Sequence, residues 1–203
     1  MSVNKGEIHE IEIIDSGNRG EGIGKIDNFT VFVDEGVPGD ILKIKINQKK
    51  KSYAKGTMLE IIKASEIRTT PPCPYYDTCG GCQLQEIQYE EQLKLKKNKV
   101  KNAIQRICKI ENFQLNDPIG MDEPFYYRNK GQFPIQKEGN SAKIGFYQIG
   151  THDVVDIKEC MTQDHITNTI VEKVRTIIND FNISIYDENK HKGRLRHLLI
   201  RTA

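Results

Sequence analysis

Apolar and polar residues alternate with a period of two in Ile8–Ile14 and Ile41–Ile46, which predicts strands with one buried face. Thr30–Val33 and Ala54–Ile62 are also rich in residues that favour strands. Turn signals separate these runs at 15–18, 27–28 and 37–40. About five short strands in residues 1–64 predict an OB-like β-barrel, a fold suited to single-stranded nucleic acid.

The glycine-rich segment Gly20–Lys25 matches neither nucleotide-binding pattern, because it lacks GxGxxG and no Ser or Thr follows Lys25. We predict a tight turn there, with glycine where φ is positive.

A proline-rich linker at 65–72 leads into a cysteine loop that ends at residue 84, and a helix is predicted in residues 85–110. The proposed helix contains no Gly or Pro from Gln85 to Ile107. Its predicted apolar face consists of Leu93, Val100, Ile104 and Ile107.

Residues 118–203 alternate between strand and helix signals and predict an α+β domain. A hairpin is expected from Gly131–Ile135 and Lys143–Tyr147, joined through 138–141. Strands at Asp153–Ile157 and Leu195–Ile200 and a helix at Ile166–Phe181 complete it. The fold class is therefore mainly β with an α+β second part. The last strand comes so close to Ala203 that we expect a truncated domain.

Charge is unevenly distributed in this chain of 203 residues with a net charge of +2. Residues 41–63 contain seven lysines and one acid, and a second basic run occupies 94–109. These runs predict an anionic partner, although each alone also fits an ordinary solvated face. No apolar run is long enough to span a membrane and no secretory signal is visible, so we expect a cytoplasmic protein. The barrel candidates for RNA contact are Lys43, Lys45, Lys49, Lys50, Lys51 and Lys55.

Three cysteines lie within ten residues, as Cys73-x5-Cys79-x2-Cys82, and Cys160 follows far along the chain. Three close thiols plus one remote thiol favour a [4Fe–4S] cluster. A structural zinc site with four cysteine ligands and a redox CxxC pair remain alternatives. Cys108, on the predicted helix, is expected to be a buried and inert thiol.

Together these motifs resemble the TRAM-domain-containing RNA uridine-5 methyltransferases, of the 23S rRNA type with a [4Fe–4S] cluster. The most specific match is Cys73-Pro74-x4-Cys79-Gly80-Gly81-Cys82, and 127–130, 145–147 and 154–160 also resemble the family. The resemblance implies that Cys73, Cys79, Cys82 and Cys160 bind the cluster. It also implies that S-adenosylmethionine is bound by a C-terminal Rossmann-like domain, of which this chain shows no motif.

By this resemblance the chain is the RNA-binding and iron–sulfur portion of the enzyme, without catalytic residues of its own. The expected partner is RNA, 23S rRNA before tRNA, and a monomer is favoured. Arg128 and Lys130 are candidates for phosphate contacts, with Tyr126, Tyr127, Phe146 and Tyr147 as stacking groups or core residues. The main alternative is a stand-alone RNA-binding protein with a metal staple, which could be zinc. A TRAM-bearing methylthiotransferase would need CxxxCxxC, which is absent.

Overall fold

The computed structural model describes residues 3–139 and 141–203 and divides the chain into two compact units. The first unit contains residues 1–70 and 83–120, and the second contains 71–82 and 121–203. The cysteine loop therefore belongs to the second unit, and the segment that follows it returns to the first.

The first unit contains a closed barrel in which the strands follow the order β1-β2-β3-β5-β4. The β3–β5 pair is parallel and the other pairs are antiparallel. Alternate residues such as Ile13, Leu42 and Ile44 are fully buried inside it, which confirms the predicted period of two. The strands are β1 (Ile8–Ser16), β2 (Gly22–Ile26), β3 (Phe29–Val33), β4 (Ile41–Lys49) and β5 (Tyr53–Lys63).

The glycine-rich segment is a strand rather than the predicted turn, and only Gly20 has a positive φ there, at 89°. The glycines of β2 allow neighbouring backbone segments to approach closely. A Cβ on Gly24 would lie 2.5 Å from the carbonyl oxygen of Glu12 in β1. The period-two pattern could not reveal this strand because glycines take two of its inward positions.

A helix, α1 (Tyr89–Arg106), follows the barrel within the first unit and begins four residues later than predicted. None of its residues is fully buried, and its predicted apolar face is wrong in part, since Val100 and Ile107 are exposed. The Gln92 side-chain amide donates to the carbonyl oxygens of Leu84 and Ile87, at 3.0 and 2.9 Å. These bonds fix the segment before the helix against its first turns.

The second unit is a four-stranded antiparallel sheet, in the order β8-β7-β6-β9, covered by one helix. Val171 and Ile178 of the helix pack with Phe133, Ile144 and Ile200 of the sheet. The predicted hairpin is present, with Asn140 of its connection outside the described residues. The elements are β6 (Lys130–Glu138), β7 (Ser141–Tyr147), β8 (Val154–Asp156), α2 (His165–Asp180) and β9 (His197–Arg201). Neither α1 nor α2 is long and apolar enough to cross a membrane.

Candidate cysteine centre and basic surfaces

The cysteine loop is a series of tight turns anchored to the end of β7. The carbonyl oxygen of Tyr75 accepts from the amides of Thr78 and Cys79, at 3.1 and 2.8 Å. Cys79 forms an isolated antiparallel bridge with Gln148, and the Gly80 amide donates to the Tyr147 carbonyl oxygen at 3.0 Å. The loop and the core sheet of the second unit are therefore one continuous hydrogen-bonded structure.

Both glycines of the loop allow close approach by their neighbours. A Cβ on Gly80 would lie 3.0 Å from the Tyr147 oxygen, and one on Gly81 would lie 3.3 Å from Cys79 Sγ. The Gly81 amide also donates to Cys79 Sγ, at 3.4 Å. Backbone N–H groups directed at cysteine sulfur are a feature by which iron–sulfur sites are tuned.

Cys160 reaches the same neighbourhood from the segment between β8 and α2. The side chain of Asn168, in α2, accepts from the Cys160 amide at 2.9 Å and donates to the Cys160 carbonyl oxygen at 3.1 Å. Cys79 and Cys160 are each 8% exposed and pack in one apolar cluster with Ile157. Half-buried Tyr75, Phe146 and Val155 surround that cluster.

Cys79 and Cys73 have raised pKa values, to which the neighbouring candidate cysteines contribute. The pKa of Cys79 is raised to about 11, chiefly by burial. The hydrogen bond from the Gly81 amide opposes this increase, and the nearby Cys160, Cys82 and Cys73 add to it. Burial also raises the pKa of Cys73, with contributions from Cys160 and Cys82. A metal bound here at neutral pH would displace thiol protons.

The four candidate cysteines match iron–sulfur chemistry in the type of ligand but not in their arrangement in this structure. None of the cysteines is in a disulfide, and the four candidates supply soft sulfur without an imidazole or carboxylate. Within residues 3–139 and 141–203, no group of three His, Cys, Asp or Glu side chains is arranged to hold a metal ion. Cys108 is exposed beyond the end of α1, so the prediction of a buried thiol there was wrong.

The barrel lysines divide into two sets. Lys43 and Lys45 point outward from β4, but Lys43 lies across from Glu10 of β1 and Glu60 of β5. Opposite charges at facing strand positions interact directly, so this part of the surface is locally neutral. The remaining lysines lie where no acid faces them across the β4–β5 pairing. They form the hairpin-tip set: Lys49, Lys50, Lys51 and Lys55.

The second unit has a basic patch where β6 begins and β9 ends, of which the sequence analysis found only part. Lys130 lies directly opposite Arg201 of β9, and both side chains are exposed. Exposed Arg128 lies two residues before Lys130, and its backbone amide donates to the Thr162 carbonyl oxygen at 3.0 Å. Like charges at facing positions repel one another, which an anionic partner would relieve. The register of β9 was needed to identify Arg201.

The candidate stacking residues have different environments. Phe146 packs on Phe133, with ring centroids 5.1 Å apart, and is a core residue. Tyr126 stacks on His165 at 3.8 Å, and Tyr147 stacks on His152 at 5.3 Å. Tyr127 is 51% exposed and is the most accessible of the predicted set.

Several known proteins are similar to this chain in sequence and in fold. Residues 2–59 match the TRAM domain family. A Clostridium acetobutylicum protein named an uncharacterized RNA methyltransferase is 46% identical over all of this chain and 45% of its own length. A Staphylococcus aureus protein of the same name is 41% identical, again over all of this chain and 45% of its own length.

Among solved structures, the Pyrococcus abyssi tRNA (uracil-54, C5)-methyltransferase in complex with S-adenosyl-L-homocysteine has the same fold. The TM-score is 0.66 at 24% identity, over 94% of this chain and 42% of that one. The chain thus carries a TRAM domain at its N-terminus and is similar along its whole length to proteins named RNA methyltransferases. It spans a little under half the length of these curated relatives.

Proposed function

We propose that this chain is the RNA-binding and cluster-carrying part of an S-adenosylmethionine-dependent RNA uridine-5 methyltransferase. The main support for this proposal is the 46% identity, along the whole chain, to a protein named an RNA methyltransferase. The fold shared with a tRNA (uracil-54, C5)-methyltransferase supports uracil C5 as the methylated atom. S-adenosylmethionine and the catalytic residues are assigned to the part of the relatives that this chain does not span.

The proposed substrate is a uridine in 23S rRNA, with tRNA as the alternative. The test is methyl transfer from labelled S-adenosylmethionine by the full-length protein to each RNA as a separate transcript, followed by nucleoside analysis. The product expected is 5-methyluridine in rRNA. Label found only in tRNA would replace the rRNA substrate with tRNA, and label in another nucleoside would contradict the uridine-5 proposal.

Cys73, Cys79, Cys82 and Cys160 are the proposed ligands of a [4Fe–4S] cluster. When bound, the cluster would supply a covalent connection between the cysteine loop and the segment before α2. Two contacts support this proposal. The Gly81 amide donates to Cys79 Sγ, and the Asn168 side chain holds the Cys160 backbone by two hydrogen bonds.

Iron and acid-labile sulfide should be measured on protein purified without oxygen, together with its visible absorption spectrum. We expect about four of each per chain. Cys160→Ser should lose the cluster, while the matched control Cys108→Ser should retain it because Cys108 is exposed beyond α1. Stoichiometric zinc without sulfide would contradict the cluster and favour an RNA-binding protein with a zinc staple.

RNA contact by the barrel is assigned to the hairpin-tip set. Lys50→Gln should weaken binding of a labelled oligouridine and lower the slope of log Kd against log salt concentration by about 0.7. Lys43→Gln removes the same charge where Glu10 and Glu60 already balance it, so its effect should be smaller. Equal effects of the two substitutions would show that the barrel does not present a defined contact surface.

A further inference from the structure

A cleft of about 660 Å³ lies in the first unit between α1 and the outer face of β2 and β3. Ile23 and Phe32, which face each other across the β2–β3 pair, line its barrel side. Leu95 lines the helix side, and the loop 15–21 closes one end. The Phe32 ring is half-buried and is supported from the side by Tyr53, with centroids 5.4 Å apart and the rings nearly perpendicular.

The basic run of α1 divides according to which lysines already have carboxylate partners. Lys94 pairs with Glu91 and Lys97 with Asp117, each at 2.6 Å. The cations that line the cleft are Lys96, Lys99 and Arg106. Their spacing of three and seven residues puts them on one helix face.

No carboxylate among the described residues pairs with these three cations, although Lys99 donates to the Asn18 carbonyl oxygen at 3.3 Å. Two acids also line the cleft, and both accept from backbone amides. Asp15 accepts from Ser16 and Glu21 accepts from Arg19, each at 2.8 Å. The cleft therefore combines the Phe32 ring, which packs against Tyr53, with a row of three cations that have no carboxylate partner among the described residues.

We propose that this cleft binds a single-stranded segment of RNA, with a base stacked on Phe32 and the backbone phosphates on Lys96, Lys99 and Arg106. This inference rests on the proposed function, because it assumes that the chain binds RNA. Stacking on an aromatic ring beside a basic groove is how proteins bind single strands with little sequence preference. A duplex does not offer an exposed base face, so it is excluded as the occupant.

The test uses fluorescence anisotropy of a labelled oligouridine of about twelve nucleotides, titrated at several salt concentrations. The cleft variant is Lys96→Gln, Lys99→Gln and Arg106→Gln combined. Its matched control is Lys94→Gln, Lys97→Gln and Lys101→Gln, which removes the same charge from the same helix outside the cleft. The cleft variant should bind about tenfold or more weakly and lower the salt slope by about two. The control should have a much smaller effect.

Phe32→Leu tests the stacking step, since it retains an apolar side chain but removes the ring. Binding should weaken at least about fivefold with an unchanged salt slope, because no phosphate contact is lost. Circular dichroism melts of each variant check the fold. If Phe32→Leu fails to fold, the two charge variants decide the question.

The outcomes separate this inference from the function on which it rests. Equal binding by the cleft variant and its control would overturn the cleft while leaving RNA binding in place. Binding of a duplex as tight as that of the single strand, or equal competition by polyglutamate, would also overturn it. Wild-type protein that binds no RNA would overturn the proposed function itself.

Discussion

Arg175 of α2 connects the helix to the sheet at a point close to the cysteine centre. Its side chain is 6% exposed and donates to the backbone carbonyl oxygens of Ala142, Ile144 and Ile157, at 2.9, 3.2 and 3.0 Å. It also forms an ion pair with Asp156. Ile157 belongs to the apolar cluster of Cys79 and Cys160, so the loss of Arg175 should reach the proposed metal ligands.

Arg175→Met preserves much of the apolar volume but removes all of these donors. Breaking a buried ion pair by deleting one partner costs about 3–5 kcal/mol. The three carbonyl oxygens lose charged donors as well, but the Asp156 side chain is 29% exposed and keeps its ion pair with Lys158, so the lower end of that range, about 3 kcal/mol, is expected. Arg175→Lys keeps the charge but cannot form the forked contacts, and it should lose less stability than Met.

The free energy of unfolding should be measured by urea denaturation at several pH values. Partial burial favours a higher pKa for Asp156, but the Ile144 amide, Lys158 and Arg175 outweigh it and lower the pKa below its ordinary value. The native state therefore binds the Asp156 proton less readily than the unfolded state does. The stabilisation of the folded state by ionised Asp156 is fully present above the ordinary pKa of this side chain, and it is lost as pH falls through the lowered pKa.

In Arg175→Met this loss of stability in acid should be smaller, because one cause of the lowered pKa is gone. The iron content of the variant should be measured in parallel. A loss of stability below about 1 kcal/mol, the level of a surface ion pair, would refute the buried network. An acid dependence equal to that of the wild type would refute the assignment of the pKa shift to Arg175.

Three further substitutions test other contacts by urea denaturation. Asp40→Asn should cost about 3 kcal/mol, because fully buried Asp40 accepts three hydrogen bonds from the Arg68 guanidinium; a loss below about 1 kcal/mol would contradict this. Gln163→Leu should stabilise by about 1–3 kcal/mol, since neither side-chain amide atom of this buried residue has a partner among the described residues; destabilisation would show that the amide is satisfied. Gly145→Ala should cost at least about 1–3 kcal/mol, because its Cβ would overlap the Val155 carbonyl oxygen; wild-type stability would show that β8 can move away.

The first and fourth strands of the barrel could be predicted because apolar and polar residues alternate along most of their length. In Ile41–Lys49 the buried residues alternate with exposed ones from Leu42 to Lys45 as predicted. β2 was missed because glycine has no side chain to carry the pattern. For α1 the helix itself was predictable from composition, but its apolar face was not. Helical spacing shows which residues share a face, and only the partner decides whether that face is buried.

How much of each candidate site could be predicted depends on whether its residues are close together in the sequence or only in the folded chain. The spacing of three cysteines within ten residues and of Cys160 farther along the chain predicted a metal centre without any tertiary information, and the family resemblance implied the same four ligands. The charge of a surface, in contrast, depends on which strands and helices are neighbours. Lys43 belongs to a lysine-rich run in sequence, yet Glu10 and Glu60 face it in space.

In the basic run of α1, tertiary neighbours have the opposite effect, because they bring some of its cations beside an aromatic ring. In sequence it is explained by charge complementarity with the helix dipole, which favours bases in the last turns of a helix. The pairing of Lys97 with Asp117 removes one of those charges from the available set, whereas Lys96 and Arg106 lie along the cleft beside Phe32. The dipole cannot account for cations that share a face with an aromatic ring from another element. That arrangement is what separates a nucleic-acid surface from a solvated helix, and it arises only when the barrel and α1 come together.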